Sequence, residues 1–171
     1  PEPKLLFADG MRCEDPKTGL AAFGPAALDS TPRSTIRVGV IGTGDTIQLL
    51  RNWAETARSG IYAGLNAKGQ PYDPLVAPRF PGFDIQSPFQ CNLEFDDRHS
   101  ITLSEREVMG ICNRGDLVDR VKAAVDVIAS KLNVLADKEP IPDVVVVAMP
   151  KELEDCIGPE ARAKQRKVVK L

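Results

Sequence analysis

Residues 144–149, Val-Val-Val-Val-Ala-Met, form an unbroken apolar run between Asp143 and Pro150. A strand with one wet face would alternate, so a run without alternation predicts a strand covered on both faces, the parallel α/β arrangement. Ile36-Arg37-Val38-Gly39-Val40-Ile41 is a second strong strand candidate, and Gln90 to Phe95 a weaker one with Cys91, Leu93 and Phe95 on one side. Pro150 ends the first run.

Helical patterns separate these strands. Gly42-Thr43-Gly44-Asp45 reads as a turn, after which Thr46 or Asp45 caps a helix to about Ser59. Its Ile47, Leu50, Trp53, Ala54 and Ala57 fall at helical spacing, which makes Trp53 a core residue. Ser104-Glu105-Arg106-Glu107 has the form of a capping box opening a short helix to about Cys112. Asp116 then caps a long helix with the apolar stripe Leu117, Val121, Ala124, Val125, Ile128, Leu132 and Leu135. A last helix is predicted from near Pro159-Glu160. Residues 60–90 hold five Pro and four Gly, a density that no continuous element survives. Residues 1–35 read as an extended lead-in packing on a domain that spans 36–171. The pattern is that of a layered α/β domain with a mostly parallel sheet.

The chain has 171 residues, enough for one domain with a real core. No apolar run approaches the roughly 18 residues of a membrane helix. Lys plus Arg is 22 and Asp plus Glu 24, so net charge argues neither for nor against nucleic acid. The four Cys, at 13, 91, 112 and 156, form no C-x-x-C pair, and the single His99 does not complete a zinc set. They read as separate small core residues of a reducing cytoplasm. The chain begins without Met and stops inside a basic stretch, as expected of a piece of a longer protein.

Four groups of residues could carry chemistry. Gly39-Val-Ile-Gly42-Thr-Gly44 stands between a strand and a helix, but Ile47 occupies the place of the third Gly of a dinucleotide fingerprint and Asp45 faces where a phosphate would lie. The simpler reading is a tight turn; a cofactor loop is the alternative. From Ala161 to Leu171 there are five Lys or Arg and no acid. On a helix Arg162, Arg166 and Lys170 share one face, a small repulsive cost that a bound phosphate would offset. A solvated helix face explains the same charges. Asp96-Asp97-Arg98-His99 is a polar turn rather than a catalytic cluster. Phe80, Phe83 and Phe89, among Pro78, Pro81 and Pro88, either clip a loop to the core or meet a partner.

The order of these pieces resembles the MID region of prokaryotic Argonaute proteins, the short forms in particular. The likeness is carried by Leu5-Leu6-Phe7-Ala8-Asp9-Gly10, the Asp15-Pro16-Lys17-Thr18-Gly19-Leu20 turn and Phe23-Gly24-Pro25 ahead of the strand from Ile36 to Ile41. Phe80-Pro81-Gly82-Phe83 with Ser87-Pro88-Phe89, and the helix followed by Asp143-Val-Val-Val-Val-Ala-Met-Pro150, extend it across the chain. The resemblance implies a Rossmann-like three-layer, MID-like fold that anchors the first nucleotide of a guide strand. Arg166-Lys167-Val168-Val169-Lys170 fits the family's pocket spacing, so Lys170 would contact the guide 5′ phosphate and Arg166 the phosphate or first base. Lys167, Lys164 and Arg162 join them as nucleic-acid-binding candidates. The later Gln and second Lys of the family pocket, and the PIWI half, are not in this sequence. The family also implies a guide RNA or DNA, a target strand, a partner carrying an APAZ domain, and a divalent cation at the guide phosphate of the full protein. No cofactor and no catalytic residue are expected in these 171 residues. The competing expectations are a nucleotide-cofactor enzyme domain using Gly42 and Gly44, and a partner-docking scaffold.

Overall fold

A computed structural model describes residues 3–26, 34–62, 64–73, 77, 79–159 and 161. In chain order its elements are β1 (Leu5–Leu6), β2 (Arg12–Cys13), α1 (Pro16–Phe23), β3 (Thr35–Gly42), α2 (Gly44–Arg58), β4 (Asn92–Glu94), β5 (Ser100–Thr102), α3 (Glu105–Cys112), α4 (Leu117–Ala136), β6 (Val144–Ala148) and α5 (Lys151–Ile157). Two compact units result: Pro1–Ile36 with Asn52–Glu94, and Arg37–Arg51 with Phe95–Leu171. β3 and α2 each run from one unit into the other.

In the first unit β1 and β2 form a short antiparallel ladder, Leu5 opposite Cys13 and Leu6 opposite Arg12. The Asp-Pro segment expected to be a turn in an extended lead-in is instead the start of α1. The Asp15 side chain accepts the Thr18 N–H at 2.7 Å and Pro16 takes the first helical position, where a missing N–H costs nothing. Gly19 lies against the outer end of the Phe7 ring, where a Cβ has no room. Residues 60–90 contain only isolated bridges among the described positions, Ile61 with Phe80 and Leu65 with Pro71. Phe80, Phe83 and Phe89 pack on one another at 5.0–5.8 Å between ring centres, which holds the loop together through its own side chains. β4 pairs with the start of β3, where the Asn92 N–H donates to the Ser34 carbonyl at 2.9 Å.

The second unit is α/β. β3 pairs in parallel with β5 from Val40–Ser100 to Gly42–Thr102, and with β6 from Val38–Val144 to Gly42–Ala148. The crossover from β3 to β5 and the one from β5 past β3 to β6 run in opposite directions. Right-handed crossovers of that kind put the start of α2 on one face and α3 and α4 on the other, the Rossmann-like three-layer arrangement. Ile41 points into a core with Leu103, Val108, Ile111, Ala124, Leu135 and Leu153, all buried. By the two-residue period of a strand, Val38 and Val40 face the other way, and both are buried too. Asp143 fixes the register of β6: its carboxylate accepts the Arg37 N–H, and its own N–H donates to the Arg37 carbonyl, both at 2.9 Å.

Several sequence expectations need correction. Thr43, not Thr46 or Asp45, caps α2: its hydroxyl accepts the Thr46 N–H at 3.3 Å. Trp53 is 51 % exposed, because α2 buries the narrower stripe of Ile47, Ala54 and Ala57. The buried stripe of α4 is rotated from the apolar one. Ala124 and Leu135 are buried, while Val121, Val125 and Leu132 stay exposed. α5, opening directly after Pro150, is a helix the sequence pattern does not predict; Pro150 ends the strand but is well suited to stand just before a helix. Pro159 and Ala161, at the predicted start of the last helix, are helical, and the rest of that prediction lies outside the described residues. Cys112 and Cys156 are not separate core residues but a disulfide pair with a Cα–Cα distance of 5.6 Å. Cys91 is buried as expected, and Cys13 half-buried.

The capping box of α3 also ties two helices together. Glu107 accepts the Ser104 N–H at 2.8 Å and its hydroxyl at 2.7 Å, and pairs with Lys131 of α4 at 2.8 Å. The Lys131 ammonium and the Ser104 donors hold the Glu107 carboxyl down at about 2, against an ordinary value of 4.5. A lowered folded value means that the unfolded chain takes up the proton first. This contribution is therefore complete at neutral pH and is lost as pH falls from about 4.5 toward 2. Glu107→Gln should cost about 1 kcal/mol at pH 7 and flatten the acid side of the stability profile. Urea titrations of both proteins across that pH range check it; parallel profiles would contradict it.

Candidate functional site

In open α/β sheets ligands bind beyond the carboxyl ends of the parallel strands. Here those ends are level: Gly42 of β3 is in register with Thr102 of β5 and Ala148 of β6. Three helices, α2, α3 and α5, start at this edge.

The Gly42-Thr43-Gly44 turn is packed rather than open. A Cβ on Gly42 would come within 2.6 Å of the Thr46 hydroxyl and 2.9 Å of the Ala148 carbonyl. Thr46 donates its hydroxyl to that carbonyl at 2.9 Å, linking the first turn of α2 to the end of β6. Gly42 thus serves the close approach of β6. Gly44 has nothing within 4 Å of where a Cβ would stand.

The electrostatics of the edge are acidic. Asp45 stands in the first turn of α2, Glu105 and Glu107 in that of α3, and Glu152 and Glu154 in that of α5. Acids there complement the partial positive charge of a helix N-terminus. They also oppose a phosphate at the same place. Arg106 and Lys151 offset them in part, and Glu107 is neutralised by Lys131.

His99 is buried and belongs to the framework. Its Nε2 lies 2.8 Å from the Pro140 carbonyl, which fixes the ring as an Nε2–H donor. Beside it Arg51 of α2 donates to Asp97 at 2.6 Å and to Ser100 at 3.0 Å, anchoring the turn ahead of β5. Asp96 is held down at about 2 by the Arg98 guanidinium, a pairing local to the same turn. None of these groups converges with another on an open cleft. A groove between α3 and α4 is lined by Glu107, Arg114, Asp119, Lys122 and Asp126, a mixture of signs that selects no single class of ion.

The sequence-predicted nucleic-acid residues Arg162, Lys164, Arg166, Lys167 and Lys170 lie outside the described residues. The position expected of a divalent cation, at a phosphate held by them, lies outside as well. Among the described residues no group of three His, Cys, Asp or Glu side chains could hold a metal ion. Nor, among them, is any helix long and apolar enough to cross a membrane.

Two features escaped the sequence reading. The Arg79 guanidinium stacks 4.2 Å above the ring of Tyr62, an exposed pair held by the Ile61–Phe80 bridge. The Cys112–Cys156 pair joins residues 44 apart. Neither leaves a signal in local spacing. In comparison with known proteins, the chain matches no family model and no curated protein.

The two glycines of the turn should separate by substitution. Gly42→Ala should cost about 1–3 kcal/mol, because backbone and a committed hydroxyl occupy the space of the new methyl. Gly44→Ala should be neutral or stabilise by about 0.5–1 kcal/mol as a helical residue. Thermal melts of the two variants decide it; equal losses would show that the whole turn, not β6 packing, demands glycine.

Proposed function

We propose that this chain is a guide-binding module of the prokaryotic Argonaute type, which anchors the 5′-phosphate end of a guide strand used in defence against invading nucleic acid. The observation that carries the reading is the run from Ala161 to Leu171, five cations and no acid, with Arg166 and Lys170 four residues apart. It follows β6 and α5 of a Rossmann-like unit within a few residues. The acids at the starts of α2, α3 and α5 do not support the reading by themselves; they constrain how a phosphate could be held. With the helix N-termini already complemented, a phosphate at this edge has to be gripped by cationic side chains. Two cations four residues apart suit that task, an Arg for planar contacts and a Lys as a point charge.

In this reading the module binds and does not catalyse. Lys170 grips the 5′ phosphate, Arg166 the phosphate or first base, and Arg162, Lys164 and Lys167 add non-specific attraction to the backbone. A divalent cation accompanies the bound phosphate in the full protein. A target strand pairs with the guide, and an APAZ-containing effector is the protein partner. The setting is the cytoplasm.

The test is binding of a short labelled single strand with and without a 5′ phosphate. The full protein is compared with its Arg166→Ala/Lys170→Ala variant. The wild type should prefer the phosphorylated strand by at least about tenfold and the variant should lose the preference, each lost phosphate contact reducing the log–log salt slope by roughly 0.7. Equal affinity of the wild type for both strands would sink the assignment. A thermal shift with nicotinamide or adenine nucleotides instead would favour a cofactor domain built on Gly42 and Gly44.

A further inference from the structure

We propose that Cys112 and Cys156 form a reversible dithiol–disulfide couple that clamps α5 to α3 and so sets how firmly the chain is held just before its basic segment. The second half of this statement rests on the guide-binding reading; the clamp itself does not.

α5 has seven residues, too few to persist by its own hydrogen bonds. What holds it is tertiary. Leu153 is fully buried in the core formed with α3 and α4, and Cys156 and Ile157 pack against that core. Arg120 of α4 donates to the Cys156 carbonyl at 3.1 Å. The bridge to Cys112, the last residue of α3, is the covalent member of this set, and its Cα separation of 5.6 Å lies in the ordinary disulfide range. The loop it closes contains all of α4 and β6.

The pair is also placed for reversal. Both cysteines are partly exposed, so a small thiol can reach the bridge. The reduced form is accommodated: the Cys112 sulfur lies 3.4 Å from the Glu152 carbonyl of α5, an acceptor for its thiol hydrogen. Cys91, by contrast, is buried, and burial pushes its thiol up, away from the reactive thiolate. In a reducing compartment a persistent structural disulfide is uncommon, and bridges found there usually sense redox state.

The chemistry balances with a thiol reductant of the glutathione or thioredoxin class. A reductant thiolate attacks one sulfur, the intramolecular S–S bond breaks, and a mixed disulfide forms with release of one protein thiolate. A second reductant thiolate displaces the other protein sulfur. Two electrons reach the protein, two protons are taken up from solvent, and the reductant leaves as its disulfide. α5 is then held without a covalent tie, by the packing of Leu153 and Ile157, the Arg120 hydrogen bond and the Cys112 thiol on the Glu152 carbonyl.

The experiment uses the full protein in three steps. Air-oxidised protein is blocked with a light maleimide, reduced, and labelled with a heavy one. Cys112 and Cys156 should carry the heavy label together and Cys13 the light one; light label on Cys112 and Cys156 overturns the proposal. Hydrogen exchange at residues 151–157 should then speed up by at least about tenfold on reduction, and the melting temperature should fall by roughly 5–15 °C. The Cys112→Ser/Cys156→Ser variant should match the reduced protein and ignore reductant. Unchanged exchange in α5 after proven reduction overturns the clamp. Finally, the 5′-phosphorylated strand should bind about 3–10-fold more weakly to reduced than to oxidised wild type, because the loosened α5 ahead of the basic segment must then be re-ordered on binding. Equal affinities overturn the regulatory half. A redox-responsive α5 with no 5′-phosphate preference in either state would retain the clamp and remove the guide-binding reading.

Discussion

The parallel pairing of β3 with both β5 and β6 is the constraint from which the second unit follows. β3 is buried on both faces through Val38, Val40 and Ile41, and it is hydrogen-bonded along both edges. From Val38 to Gly42, where it is buried, such a strand accepts small or apolar side chains, and Gly39 and Gly42 occur where the neighbours come closest. A Cβ on Gly39 would meet Pro142 at 3.1 Å and Val145 at 3.2 Å. Position 42 is similarly limited by β6 and Thr46. The same pairing levels the three strand ends and brings the starts of α2, α3 and α5 to one edge. Removing the side chain of Ile41 or Leu153 would cost about 2–5 kcal/mol each, because the two share one core with α3 and α4.

Local rules account for what was legible. The run from Val144 to Ala148 is a parallel strand beside β3, as expected, but it is not covered on both faces: Val144 is 44 % exposed and the other four residues are half-buried. The boundaries of α3 and the start of α4 followed from Ser104, Glu107 and Asp116, side chains that bond to backbone N–H groups within three residues. α1 is absent from the sequence reading, although Asp15-Pro16 carries the same kind of signal, because the segment from Asp15 to Leu20 reads as a turn in an extended lead-in. Gly19 within it is required by the Phe7 ring, a contact between distant residues that spacing does not reveal. α5 was missed because seven residues show too little periodicity; packing of Leu153, not propensity, makes it helical.

The rotation of the buried stripe on α4 has a similar origin. The sequence offers one broad apolar stripe, and the partners in the core bury only part of it, Ala124 and Leu135, together with Ala123 and Val127 beside it. Ala124 permits close helix approach, which the bulkier Val125 would obstruct. A hydrophobic pattern thus states which faces can be buried, while only the assembled neighbours decide which one is. Of the candidate site, Arg166 and Lys170 lie outside the described residues and rest on the sequence alone, while the cysteine pairing leaves no signal in the sequence. Cys112 and Cys156 are brought together by the β5–α3–α4–β6–α5 path, whose closure depends on the whole unit.

Charge at the strand ends bears on how such a unit could hold a phosphate at all. In a dinucleotide-binding turn, glycines leave backbone N–H groups open and the helix N-terminus itself attracts the anion. Here Thr43 caps α2, Thr46 is committed to Ala148, and each of the three helices beginning at the edge carries acid in its first turn. Those choices stabilise the helices by complementing their dipoles, and they weaken the edge as an anion site by the same electrostatics. A phosphate bound by this chain therefore needs cations supplied from another stretch of sequence. Only one stretch of eleven residues in the chain, 161–171, has five of them and no acid, and it begins just beyond the helix that the Cys112–Cys156 bridge holds in place.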